Sequence, residues 1–477
     1  MLKSFVLVPA LLSAMALSAF AQGAKVDTDP KSTETMKVTV SGSLDIDWVW
    51  RDRALGTSRG TYGTYDPGES RGEGVMHGHY SIRVDADLSD KVKLTVVLEN
   101  NRYDTAAPSN DLLGTNPEGL PVSAHEVQIA FGELFTAGMS GTIGTHGYMW
   151  SPRGDGRSLI MAMDSSDSIL PASAVADFQA GGLNQSDGSG QSLRPAGAVF
   201  AYTQEAWGMH FALLPATVEG GSAKADEANY AVDFFYNLAS MGKGSNIGAI
   251  LMLTSIAGGE SAIFTGGFGG DLFFMDNNAM ELYFQVLFQS GTWFEVGTTN
   301  IKAGGIAFEI GGKYNFTSAM HPWIQAQITY LSGDKDQDPG DTDIDAFLGY
   351  ENNNDLMIIL SDFYGMDWFT NMLGILISGG LDLSVGAGKD NLHFKGVLGI
   401  MTTVEDVRGP LFTDTTNKLG NEFDVMVVYD YSKQVAFNAG IALLFGSEVL
   451  EAIGGGSTND NADDSSMLFT IGAHAKF

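Results

Sequence analysis

Val38-Thr39-Val40-Ser41-Gly42-Ser43-Leu44-Asp45-Ile46-Asp47-Trp48 alternates without a break: even positions are apolar or Gly, odd positions polar. A strand sends successive side chains to opposite faces, so this stretch has one greasy face and one wet, charged face. The same period of two returns along the chain in segments of about ten residues, joined alternately by short turns and long loops. The pattern predicts an all-β fold, a transmembrane antiparallel β-barrel of about 18 strands with lipid outside and water inside. Its turns should be periplasmic and its long loops extracellular.

The rhythm is plain at both ends of the chain. Tyr80, Ile82, Val84, Ala86 and Leu88 face one way, against Ser81, Arg83, Asp85 and Asp87. After the turn Ser89-Asp90-Lys91, Val92, Leu94, Val96 and Leu98 return against Lys93, Thr95 and Glu99. Far downstream, Phe423, Val425, Val427, Tyr429 and Tyr431 oppose Glu422, Asp424 and Asp430. Around sixteen to eighteen strands enclose a lumen too wide for wall side chains to fill. Trp48, Trp50, Tyr314, Phe316, Tyr330, Tyr429 and Tyr431 fall at strand ends, where headgroup-level girdles belong.

Residues 1–21 read as a secretory signal peptide: Lys3, an apolar run from Phe5 to Phe20, and the small-x-small site Ala19-Phe20-Ala21 before Gln22. Residues 22–35 read as a polar periplasmic leader and 36–477 as the barrel. No later stretch has the roughly twenty apolar residues of a spanning helix. In lipid only helices and closed barrels satisfy every backbone group, so the span falls to strands. The chain has no Cys, which suits passage through an oxidising periplasm. These features place it in the outer membrane of a Gram-negative (diderm) bacterium.

The formal net charge is −31 at pH 7. Such acidity argues against nucleic-acid binding. The inward positions carry Asp45, Asp47, Asp85, Asp87, Glu99, Glu126, Asp233, Glu281, Glu309, Asp382, Glu422, Asp424 and Asp430, against Arg83, Lys93, Lys313 and Lys395. Carboxylates in a water-filled lumen attract cations through their local potential. The expectation is a porin for passive diffusion of small hydrophilic solutes and ions, preferring cations.

Two loops stand out. The stretch from Tyr148 to Pro195 carries Arg153, Asp155 and Arg157 and is long enough to fold inward as a constriction. The second loop spaces Asp334, Asp336, Asp338, Asp341, Asp343 and Asp345 as hard oxygen ligands suited to Ca²⁺. Pro339 occupies the position where an EF-hand loop needs Gly, so a generic Ca²⁺ site in an extracellular loop is the expectation. No required cofactor is expected. The eight His are scattered, and no nucleophile elbow or phosphate loop is present, so no enzyme is expected.

The alternating C-terminus ending on Phe477 resembles the signal read by the outer-membrane barrel assembly machinery, with Ala475 where an aromatic is common. Strand number and topology resemble the porin and alginate-export superfamily. Tyr330-Leu331-Ser332-Gly333-Asp334, followed by Phe347-Leu348-Gly349-Tyr350, is similar to a loop segment of the alginate-export family. That resemblance implies a channel through the outer membrane, in contact with lipid and lipopolysaccharide. Porins commonly form trimers while the alginate-export family is thought monomeric, so the resemblance leaves both assemblies open and leans toward a homotrimer. An alginate exporter should line its pore with cations, whereas this inward set is mostly acidic. Two alternatives follow: a substrate-specific saccharide or polymer export channel, and a structural surface-array or adhesive barrel.

Overall fold

The computed structural model describes residues 37–51, 73–100, 122–145, 148–150, 159, 161–162, 196–217, 226–256, 261–296, 299–335, 343–347, 355–360, 370–385, 390–407, 416–448 and 465–477. Eighteen wall strands run in chain order: β1 (Lys37–Arg51), β2 (Glu73–Asp87), β3 (Val92–Asn100), β4 (Val122–Phe131), β5 (Met139–Thr145) and β6 (Ala196–Thr203). They continue as β7 (Trp207–Thr217), β8 (Asp226–Asn237), β9 (Asn246–Ile256), β10 (Ser261–Phe274), β11 (Met280–Val296) and β12 (Thr299–Asn315). The last six are β13 (Trp323–Leu331), β14 (Met372–Val385), β15 (Asp390–Val407), β16 (Thr416–Asp430), β17 (Val435–Phe445) and β18 (Ser466–Lys476). Each pairs with its chain neighbours, and β1 pairs antiparallel with β18 from Ser43↔Lys476 to Arg51↔Leu468, closing the ring. The fold is a closed 18-strand antiparallel barrel, as the alternation predicted. Chain contacts set Val38–Phe477 apart as one unit; of the other unit, Met1–Lys37, only Lys37 is described.

Closure removes every sheet edge, which a strand-built span in lipid requires. The outward row is exposed and apolar: Val232 and Phe234 on β8, Leu251 on β9, Phe268 on β10, Phe288 on β11, Ile306 and Ile310 on β12, and Ile328 on β13. These would be costly in water and are at home in hydrocarbon. Aromatics cluster at strand ends, with Trp48 against Phe469 and Tyr314 against Phe316 at centroid separations of 5.8 and 4.8 Å.

The short connections are tight. At the β2–β3 turn the Leu88 amide donates to the Val92 carbonyl at 2.9 Å, and Lys91 pairs with Glu133 of the next turn at 2.9 Å. The loop ends behave differently. Asp343–Ile344 adds a two-residue parallel strand beside Lys302–Ala303 of β12, beyond the point where β13 has ended. A second short pair, Tyr148–Met149 with Met161–Ala162, stands apart from the wall sheet.

Candidate functional site in the barrel lumen

The inner wall is polar and charged toward the short-turn end. On β1 and β18, Asp45 and His474 face each other in register, and His474 Nδ1 lies 2.7 Å from Asp45 Oδ1. Asp382 on β14 and His393 on β15 are likewise register partners, 2.7 Å apart. The other ring nitrogen of His393 lies 2.9 Å from Asp430 on β16, so one imidazole bridges two carboxylates across three strands. All three side chains are about two-fifths exposed. Asp85 is held by Arg83 at 2.9 Å, Lys93 at 3.2 Å and the Thr95 hydroxyl at 2.7 Å. Glu281 stands across from Lys313, whose ammonium lies 4.8 Å from the Trp323 ring centroid. Glu126 accepts a hydrogen bond from Gln128.

Higher in the barrel the inner face is covered, because segments of two loops lie against it. The first is Tyr148–Trp150 with Leu159. The Tyr148 hydroxyl donates to Asp233 at 2.7 Å, and His210 holds the other oxygen of that carboxylate at 2.8 Å. The Leu159 amide donates to the Gln285 side-chain oxygen at 3.0 Å. Trp150 Nε1 lies 3.7 Å from where a Cβ on Gly248 would sit. Asp233 and Gln285 point away from the lipid-facing row, so this segment is inside the ring.

The second covering segment is Asp355–Leu360. Its amides at Met357, Ile358 and Ile359 donate in succession to Asp424 Oδ2 at 3.0 Å, Glu422 Oε1 at 2.6 Å and Glu422 Oε2 at 2.8 Å. Both acids are inward residues of β16 and are buried beneath the segment. Leu356 rests on Gly399 of β15, the register partner of Glu422, where a Cβ would come within 2.6 Å of it. Met357 rests on Gly440 of β17, where a Cβ would lie 3.2 Å away. Glycine lets these side chains settle without shifting. Gly305 of β12 admits the backbone of Phe347 in the same way. Leu356, Ile358, Ile359 and Leu360 are buried with the inward apolar residues Ile250, Met252, Leu287, Leu376, Val397 and Ala442 in one cluster. Burying each large side chain is worth about 1.5–3 kcal/mol against leaving it in water.

A separate polar ladder lines β11 to β13. Gln325 donates to the Tyr283 hydroxyl and Tyr283 donates to Gln327, each at 2.9 Å. Gln327 donates in turn to Glu309 at 3.0 Å.

Alternation therefore placed the acids on the inner wall, and the structure divides them. Toward the turn end Asp45 and Asp85 are partly exposed and Asp382 and Asp430 about two-fifths exposed. Asp47, Asp233, Glu309, Glu422 and Asp424 are buried under or beside other groups. Asp87 is inward and exposed, and Lys395 faces the lumen on the same strand as His393. The side chain of Glu99 and the whole of Arg153, Asp155 and Arg157 lie outside the described residues. Asp336, Asp338 and Asp341 lie outside them too. Asp334 is buried, Asp343 pairs with Lys302 at 3.1 Å, and the Asp345 carbonyl accepts the Ser332 hydroxyl at 2.8 Å. Among the described residues no three His, Asp, Glu or Cys side chains assemble into a metal site.

Sequence reasoning missed the His–Asp pairs and the glycine seats. The pairs follow from register: His210, His393 and His474 each occupy a polar position opposite an Asp. The seats leave a trace as glycines on the inward side of strands whose outward side is bulky.

No protein-family model matches the chain, and no curated protein matches it. Solved structures do share its fold. OccAB2 of Acinetobacter baumannii is 10% identical and superposes with a TM-score of 0.54, covering 92% of this chain and 98% of its own. OccK8 (OprE) and OccK9 (OpdG) of Pseudomonas aeruginosa are 10% and 11% identical, each with a TM-score of 0.50 over 92% of this chain and 98% and 99% of theirs. These structural neighbours are Gram-negative outer-membrane porins.

Proposed function

We propose that the chain is an outer-membrane porin giving passive passage to small hydrophilic solutes and ions, with a preference for cations. The observation that carries this reading is the polarity of the closed wall. An exposed apolar row faces outward, while the Asp45–His474 and Asp382–His393–Asp430 clusters sit wet on the inside. Carboxylates in a narrow, water-filled space bounded by low-dielectric walls raise the local concentration of cations. The cationic groups Arg83 and Lys93 share one carboxylate, Asp85, and the further inward acids of the turn end, Asp45, Asp87, Asp382 and Asp430, outnumber them. The alternating C-terminal strand and Phe477 are the features the assembly machinery would read, and lipid and lipopolysaccharide are the outer neighbours.

The test is the reversal potential of the purified protein in a planar bilayer across a KCl gradient. A potential of the sign set by K⁺ supports the reading, and one set by Cl⁻ overturns the cation preference while leaving the channel. Swelling of proteoliposomes in small neutral sugars tests passage of uncharged solutes.

A further inference from the structure

We propose that Glu422 and Asp424 are positioning residues that set the size limit of the channel by holding Asp355–Leu360 inside the lumen. The inference rests on the channel reading above and adds to it which residues fix the narrowing. Two features of the contact point to a holding role. The carboxylates receive three successive backbone amides, at 3.0, 2.6 and 2.8 Å, a pattern indifferent to the side chains of the segment. Glycines at Gly399 and Gly440 flatten the wall on both sides of β16 so that Leu356 and Met357 can seat. A carboxyl group on a pore wall normally acts on solutes; here both side chains are buried and three of their four oxygens receive protein amides. Breaking such a bond strands a buried carboxyl oxygen or amide without a partner, which is the costly way to lose a hydrogen bond. Asp355 lies within 3.4 Å of Gln327, which ties the start of the segment to the β13 side of the ring. The segment thus bridges the inner wall from β13 to β17 and occupies cross-section that solutes would otherwise use.

The role separates from that of a pore charge by what each would change. Removing a pore charge shifts ion selectivity and leaves neutral solutes alone. Releasing the segment admits larger neutral solutes.

The chain holds no Cys, so introduced thiols are unique. In Leu356→Cys the thiol is buried on Gly399 and should react slowly with a membrane-impermeant maleimide. Adding Glu422→Ala and Asp424→Ala should speed labelling by about tenfold, the equilibrium equivalent of losing one buried hydrogen bond. The same pair of changes should raise the largest neutral sugar that swells proteoliposomes. Leu356→Cys with Gly399→Cys, oxidised to the disulfide in that background, should restore the original limit, and reduction should abolish the rescue. Glu422→Gln keeps one acceptor and should give intermediate labelling, which preserves the test if the double substitution fails to fold. Labelling and sugar limit both unchanged, with only the reversal potential moved, would overturn the proposal. A wild-type protein passing no sugar would instead strike the channel reading, while labelling unchanged by the carboxylate substitutions would strike the holding role by itself.

Discussion

Gly42 and Phe477 exchange both backbone hydrogen bonds, each at 3.0 Å, so they extend by one step the β1–β18 seam that closes the ring. The Phe477 ring also lies over Gly42, within 2.5 Å of where a Cβ would stand, and the Ser81 carbonyl is as close on the other side. Gly42→Val should therefore overpack the seam and cost about 1–3 kcal/mol. Urea unfolding of the barrel in detergent would read this as a lower midpoint. Phe477→Ala in the same chain should recover only part of the loss, since the Ser81 contact remains.

Leu251 is 56% exposed at the middle of β9 and faces outward. Leu251→Arg should cost about 2–4 kcal/mol in a bilayer, where the charge would sit near the midplane. Gln128→Arg, on the inner wall beside Glu126, should cost far less. Equilibrium unfolding from vesicles compares the two, and equal costs would mean that lipid and water are not divided as the wall implies.

Asp85 holds two cations, so its loss does more than remove one negative charge. Asp85→Asn leaves Arg83 and Lys93 without their shared counter-ion and should move the reversal potential toward Cl⁻ more than Asp87→Asn does. Asp382→Asn with Asp430→Asn should also reduce cation preference, because it removes both partners of His393. Bilayer recordings in a salt gradient at neutral pH rank these variants.

Tyr148 anchors the first inward segment through its hydroxyl on Asp233. Tyr148→Phe removes a donor from a buried carboxylate, a change worth about 1–3 kcal/mol. His210 still holds the other oxygen, so the barrel should fold. We expect faster proteolysis of the 148–195 loop in intact proteoliposomes, with the wall strands still protected.

The wall was legible in the sequence because lipid outside and water inside impose a period of two on strand after strand. Glu281 to Gln289 reads as polar and apolar in turn except at the buried Leu287, and the structure exposes Leu282 and Phe288 while burying Tyr283, Gln285 and Gln289. Length alone marked the Tyr148–Pro195 loop as one that could fold inward; the inward packing of Asp355–Leu360 was not legible, because a segment that packs on a wall needs no period of its own. Met357, Ile358 and Ile359 are held through backbone amides, which every residue but proline offers. Their imprint lies on the strands instead. Ile250-Leu251-Met252-Leu253 on β9 is apolar on both faces, and so are Ile375-Leu376-Ile377 on β14 and Ala442-Leu443-Leu444 on β17. Those lapses of alternation coincide with the buried inner residues Ile250, Met252, Leu376, Ala442 and Leu444. An inner face that turns apolar marks where a loop comes to rest.

A folded barrel with wet carboxylates inside should conduct. Purified protein with an intact barrel, added to a planar bilayer, should give discrete upward current steps at fixed voltage. Insertion of the intact barrel with no steps at any voltage would contradict a continuous aqueous path through the ring.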